Sequence, residues 1–188
     1  MSHATDITVI ATGGTIDKEY LLSGDLAVGE PAATRILHTM VPSVTVRVVG
    51  VLAIDSRDMT DADRDVLARE VAATDARAIV ITHGTDTMAD TAEYLAARVS
   101  DGVTVVLTGA LRPETVAGTD AHVNLGFALA ASQLAGQGVY VAMGARLFPA
   151  GAVRKDLATG AFVATVGSRP TAHQRDVTDG RSGEWNRE

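Results

Sequence analysis

The sequence predicts a single-domain α/β protein built on a mostly parallel, Rossmann-like or flavodoxin-like sheet with helices on both faces. Three observations carry this. Short apolar, β-branched runs alternate with stretches of helical period, the rhythm of βαβ units. At 188 residues and 46% hydrophobic content, the chain can bury a sizeable core. No internal repeat, low-complexity tract or interdomain linker interrupts the pattern.

Taken in order, residues 7–10 read as the first strand and run into the turn Ala11-Thr12-Gly13-Gly14-Thr15-Ile16. Residues 17–30 follow with Gly24, Gly29 and several charges but no sustained period. Both a lid bearing Tyr20 and a plain surface loop fit such a stretch. A helix over 31–40 leads to a strand over 44–52 and the turn Asp55-Ser56-Arg57-Asp58. The next helix, 61–73, is announced by Thr60 and Asp63 at capping-box spacing, with Asp in place of Glu or Gln. Strand 78–81 runs into Thr82-His83-Gly84-Thr85-Asp86-Thr87, and the helix over 88–99 has the same capping spacing in Thr87 and Asp90. Strand 103–107, the turn Thr108-Gly109-Ala110, a helix over 121–135 and a strand over 139–143 complete the alternation. Beyond Gly144 the segments shorten; 146–148 and 161–166 read as hairpin-like material at the sheet edge, separated by a polar stretch containing Arg154-Lys155-Asp156. The domain is expected to span residues 1–168. Residues 169–188 are almost wholly polar and are expected to form a tail, loose or docked on a neighbour.

Composition narrows the chemistry. A net charge of −7 without blocks of like sign disfavours nucleic acid and anionic membrane as partners. No apolar run approaches the ~18 residues of a membrane span, and no basic-then-apolar leader opens the chain, so a cytoplasmic location is the default expectation. With no cysteine, disulfides, thiolate catalysis and Cys-ligated metals are excluded, and any nucleophile is oxygen or nitrogen. Five scattered histidines give little support to a metal site, and no cofactor is expected. Gly-x-Ser-x-Gly, Walker and His-Glu-x-x-His patterns do not occur.

In parallel α/β sheets ligands gather beyond the carboxyl ends of the strands. Here those ends carry Thr15, the Asp55–Asp58 turn, Thr85 with Asp86, and the Thr108-Gly109-Ala110 turn. The helix opening near Thr87 directs its positive end at Gly84 to Asp86, favouring a carboxylate or a developing oxyanion, while Asp86 favours an ammonium group. An α-amino acid satisfies both. A threonine hydroxyl needs a base or a desolvated amine to become nucleophilic, and Lys155 supplies one if it packs against Thr85. His83, beside a strand end, reads as a backbone-bonded structural histidine ahead of a catalytic base.

Together these residues resemble the bacterial-type L-asparaginase family. Residues 11–16 match its first signature and Ile81-Thr82-His83-Gly84-Thr85-Asp86-Thr87-Met88 its second. Asp55-Ser56-Arg57-Asp58-Met59 is similar to its Ser-x-Asp-Met turn, and Gly109-Ala110-Leu111-Arg112-Pro113 to its Gly-Ala-Met-Arg-Pro turn. The resemblance implies hydrolysis of L-asparagine to L-aspartate and ammonia through a threonine acyl-enzyme, without metal or cofactor, in a homo-oligomer (dimer or tetramer). It implies Thr15 as nucleophile with Tyr20 as its activating neighbour, and Thr85, Asp86 and Lys155 as a second trio, although which threonine attacks first stays open at this level. Ser56 and Asp86 are implied to hold the substrate's carboxylate and ammonium, in a pocket also lined by Gly14, Arg57, Gly84, Thr85 and Ala110. Family members usually carry a second domain whose acidic residue completes a neighbouring site, and this chain resembles the short forms without it. The expectation is therefore a raised KM, or a substitute carboxylate from Asp17, Glu19 or another subunit. A glutaminase or related amidase, and a catalytically silent asparagine or aspartate sensor, are the alternatives.

Overall fold

The computed structural model describes residues 7–165. The polar stretch 169–188 lies outside the described residues. Ten strands and four α-helices occur among those described: β1 Ile7–Gly13, β2 Lys18–Tyr20, β3 Leu26–Val28, α1 Ala32–Met40, β4 Val46–Ile54, α2 Asp61–Ala73, β5 Ala78–Thr82, α3 Met88–Ala96, β6 Thr104–Thr108, α4 Ala121–Leu134, β7 Gly138–Met143, β8 Arg146–Pro149, β9 Val153–Lys155 and β10 Phe162–Ala164.

The main sheet runs in the order β4-β1-β5-β6-β7-β8. Its first five strands are parallel, and β8 returns antiparallel along β7. Alternate residues of the central strands feed two cores, because successive side chains of a strand point to opposite faces. Ile7, Val9, Val80 and Val106 pack with α1 and α4. Ile10, Ile79, Ile81, Val105 and Leu107 pack with α2 and α3. Both faces are thus covered, which is why β5 and β6 are buried along their whole length. The order of the five parallel strands reverses direction between β1 and β5, placing the switch-point crevice at their carboxyl ends.

Three local expectations change. The polar stretch around Arg154 is itself a strand, β9, which pairs with β10 as a separate hairpin, while β8 joins the main sheet beside β7. The stretch after Asp17 is not an irregular loop: Lys18–Tyr20 and Leu26–Val28 pair as an antiparallel hairpin. Its three-residue strands are half-buried to exposed, so they show no strand-like alternation. The α2 capping box forms as the spacing predicts, with reciprocal bonds between Thr60 and Asp63. At α3 it does not, because the Thr87 hydroxyl donates instead to the Ser56 carbonyl at 2.7 Å.

Candidate active site

Four strand-end turns converge at the switch point, and glycine lets them touch. Gly13 and Gly14 have φ of 94° and 77°, a region that disfavours side chains. The Gly14 amide donates to the Ile54 carbonyl at 2.9 Å, tying the end of β1 to the end of β4. A methyl group on Gly14 would strike the backbone of Gly84, and one on Gly84 would come within 2.5 Å of Ser56 Oγ. Gly109 likewise lies against the His83 carbonyl. The chain after β1 enters a short 3-10 turn, Thr15–Asp17, anchored by buried Ile16 and leaving Thr15 half-buried at the crevice.

Across the crevice, Thr85 is buried and Lys155, at the end of β9, donates from Nζ to Thr85 Oγ1 at 2.8 Å. The same Nζ pairs with Asp86 Oδ1 at 2.5 Å, and only 16% of the Lys155 side chain is exposed. Held by two oxygens and shielded from water, the amine sits against the Thr85 hydroxyl. The second oxygen of Asp86 faces Arg57 Nε at 3.7 Å. Arg57 is exposed and braced by Asp55, which also receives Lys18 Nζ at 2.7 Å. Hydrogen bonds from Arg57 first and Lys18 second hold the Asp55 carboxyl well below the usual carboxylate range. Buried Ser56 accepts from the Asp86 amide on Oγ at 3.3 Å, joining the β4 turn to the start of α3.

The residues expected at the site fall into three groups. Gly14, Thr15, Ser56, Gly84, Thr85, Asp86 and Lys155 meet around the crevice, with Arg57 at its rim. Tyr20 lies on β2 with 65% of its surface exposed, and among the described residues no hydrogen bond joins it to Thr15. The side chain of Ala110 is fully buried in the core beneath α1 and α4, so it lines no surface.

Of the two acidic residues considered as replacements for a missing carboxylate, Asp17 turns inward. It is 2% exposed and its Oδ1 accepts from the Ala32 amide at 2.8 Å. Burial pushes its carboxyl up to about 6 against the pull of the Ala32 and Gly13 amides. Glu19 packs its carboxylate against Gly29 within the hairpin. His83 is fully buried; its Nδ1 donates to the Gly84 carbonyl at 2.7 Å, and Nε2 lies 3.0 Å from Met59 Sδ. Desolvation lowers its pKa to about 4, so it is a neutral structural support, as its position beside a strand end suggests.

One contributor escaped the sequence reading. Asn124, buried on α4, donates to the Gly109 carbonyl at 2.9 Å and accepts from the Gly144 amide at 3.2 Å, locking the turns after β6 and β7 together. A polar residue at a core position of the helical period, between Ala121 and Leu125, is the signal that marks it. Among the described residues no cluster of His, Cys, Asp and Glu could hold a metal ion, and no helix is long and apolar enough to cross a membrane.

Fold and site together define a flavodoxin-like α/β protein with two threonines, one paired to a lysine, at the switch point of its sheet. The chain belongs to the asparaginase family: the family model described as "Asparaginase, N-terminal" matches residues 6–180. It is 35% identical over 181 residues to a glutaminase-asparaginase of Acinetobacter glutaminasificans, covering 88% of this chain and 55% of that protein. It is also 35% identical over 170 residues to a probable periplasmic L-asparaginase of Haemophilus influenzae, covering 82% and 47%. The solved thermostable L-asparaginase from Thermococcus kodakarensis superposes with a TM-score of 0.75 at 30% identity, over 85% of this chain and 51% of that one. The chain therefore spans about half the length of the relatives it matches.

Proposed function

We propose that this chain is an L-asparagine amidohydrolase that releases L-aspartate and ammonia through an acyl-enzyme on threonine. The observation that carries the reading is the contact of Lys155 Nζ with both Thr85 Oγ1 and Asp86, opposite Thr15 on a turn packed against Gly84. Thr15 is the nucleophile in this scheme. Its hydroxyl has no hydrogen-bond partner among the described residues and is half-exposed, whereas that of Thr85 already accepts from lysine. Thr15 Oγ bonds to the side-chain amide carbon, its proton passes to the leaving nitrogen, and ammonia departs as the ester forms. Water, deprotonated through the Thr85–Lys155 pair, then adds to the ester carbon and returns the proton to Thr15 Oγ, releasing aspartate. Amides at the start of α3 oppose the negative charge that develops on the carbonyl oxygen.

Substrate binding follows from the same turns. Ser56 takes the carboxylate, and Asp86 takes the ammonium, in competition with Lys155 and Arg57. That competition supports a raised KM. The Acinetobacter relative is named a glutaminase-asparaginase, so glutamine is the second substrate to assay. A homo-oligomer, dimer or tetramer, and a cytoplasmic location belong to the same reading; light scattering and cell fractionation test them, and the relative named periplasmic is the counter-case. The deciding experiment is ammonia release from asparagine by the wild type, Thr15→Ala and Thr85→Ala. Activity in the wild type and its loss in both variants, each with an unchanged circular dichroism spectrum, is expected. Full activity in either variant removes that threonine from the mechanism.

A further inference from the structure

Asp17 is the buried charge that the scheme above leaves unused, and its contacts reach three separate pieces of chain. Its amide donates to the Gly14 carbonyl at 3.2 Å, inside the turn that carries Thr15. Its own carbonyl accepts from the Gly29 amide at 2.8 Å, closing the root of the β2–β3 hairpin. Its carboxylate accepts from the Ala32 amide at 2.8 Å, where Pro31 offers no side-chain cap to α1. A single residue thus clamps the hairpin at both ends, two positions from Thr15.

We propose that Asp17 is the positioning residue of Thr15: its main chain ties the glycine turn to the hairpin root, its carboxyl group ties both to the start of α1, and together these bonds fix where the Thr15 hydroxyl stands. The inference rests on the amidohydrolase reading for its consequence but not for its geometry. The carboxyl group accepts from Ala32 through one oxygen, so an amide side chain at this position can make the same bond and an alkyl side chain cannot. The charges facing Asp17 are Arg35 on α1, which favours ionisation, and Glu114 after β6, which opposes it. Arg35 Nε donates to Glu114 at 2.8 Å, His122 of α4 approaches the same carboxylate at 3.9 Å, and Lys18 of the hairpin is turned away to Asp55. Burial pushes the carboxyl up to about 6, so protonation favours the closed arrangement and mild acid does not release it.

Asp17→Ala removes the acceptor at Ala32, whereas Asp17→Asn keeps the shape and one acceptor. With asparagine, kcat of Asp17→Ala is expected to fall about 100-fold while KM moves less than about 3-fold, the signature of a displaced nucleophile with an intact binding pocket, and Asp17→Asn is expected to recover about 10-fold or more of that loss. A wild-type kcat in Asp17→Ala overturns the proposal. Amide hydrogen exchange of the wild type and Asp17→Ala at pH 7 supplies an arm independent of turnover, with β5 reporting that the variant is folded. Protection at Gly29 and Ala32 is expected to drop about 10-fold or more in Asp17→Ala while β5 keeps its protection, and wild-type protection at both amides overturns the clamp. If the wild type hydrolyses no asparagine, the amidohydrolase reading fails and the exchange arm alone decides the clamp.

Discussion

Gly14 and Gly84, the glycines of the two signature turns, meet backbone to backbone: a methyl group on Gly14 would overlap the Gly84 amide nitrogen and Cα. This contact brings Thr15 and Thr85, each the next residue along, to the same crevice. Gly14→Ala is therefore expected to suffer twice, from a side chain at φ of 77° and from collision with backbone that cannot give way. Gly24→Ala is the control, since Gly24 has φ of 90° but nothing within 4 Å of the added methyl. Urea denaturation is expected to show a loss of about 1 kcal/mol for Gly24→Ala and more than about 3 kcal/mol for Gly14→Ala. Equal losses would mean that the turns are free to separate.

Lys155→Met removes the donor to Thr85 Oγ1 and leaves Asp86 facing Arg57 alone. General acid–base groups contribute about 10²–10⁴-fold, and a fall in kcat of that size is expected in the coupled ammonia assay, with the pH profile altered. Stability is expected to change little, because Asp86 is 38% exposed and a partly solvated pair contributes about 1 kcal/mol or less. Unchanged kcat and pH dependence would leave Lys155 a surface-anchoring residue only.

Strands were legible where burial is total. β5 and β6 are apolar or threonine at every position because both faces are covered, and composition reports that directly. β1 continues past residue 10 to Gly13 because its backbone goes on pairing with β4 as far as Gly13 and Ile54, a contact between strands that lie far apart in sequence, and the Thr12 hydroxyl adds a bond to the Thr82 carbonyl at 2.8 Å. The same kind of contact hid the fate of Thr87, whose hydroxyl is claimed by Ser56, 31 positions earlier. The chemistry of Thr85 and Lys155 could be read from residue types, but their meeting depends on the fold bringing β9 beside α3, which no local pattern encodes. Tyr20 and Ala110 show the converse: motif membership named them, and the hairpin and the core set their exposure.

Asn124 holds Gly109 and Gly144 through one buried amide, and Gly109 in turn lies against the His83 carbonyl. Asn124→Leu leaves a buried carbonyl and a backbone N–H without their partner. Each such group costs about 1–3 kcal/mol, so a loss of roughly 3 kcal/mol in urea denaturation is expected. A loss near zero would show that water replaces the amide at both turns.

Asp17 and His83 make opposite demands on the pH dependence of stability over one window. The carboxyl of Asp17 is raised from 3.8 to about 6 by burial, so the folded state holds a proton that the unfolded state releases. Stability from this group is present below about pH 4 and is lost, by roughly 3 kcal/mol, as pH rises through 6. The pKa of His83 is lowered from 6.5 to about 4, so the unfolded state takes the proton first. Its contribution is full above pH 6.5 and is lost, again by roughly 3 kcal/mol, as pH falls through 4. The two slopes nearly cancel, and the wild type is expected to show a flat stability profile between pH 4.5 and 6. The carboxyl of Asp55, held low by Arg57 and Lys18, contributes only at more acidic pH. Asp17→Asn is expected to uncover the histidine slope, losing stability on acidification, and His83→Gln the carboxylate slope, gaining it. Urea denaturation at pH 4.5, 5.3 and 6 checks the pair; slopes of the same sign in the two variants would mean that one of the groups titrates outside this window.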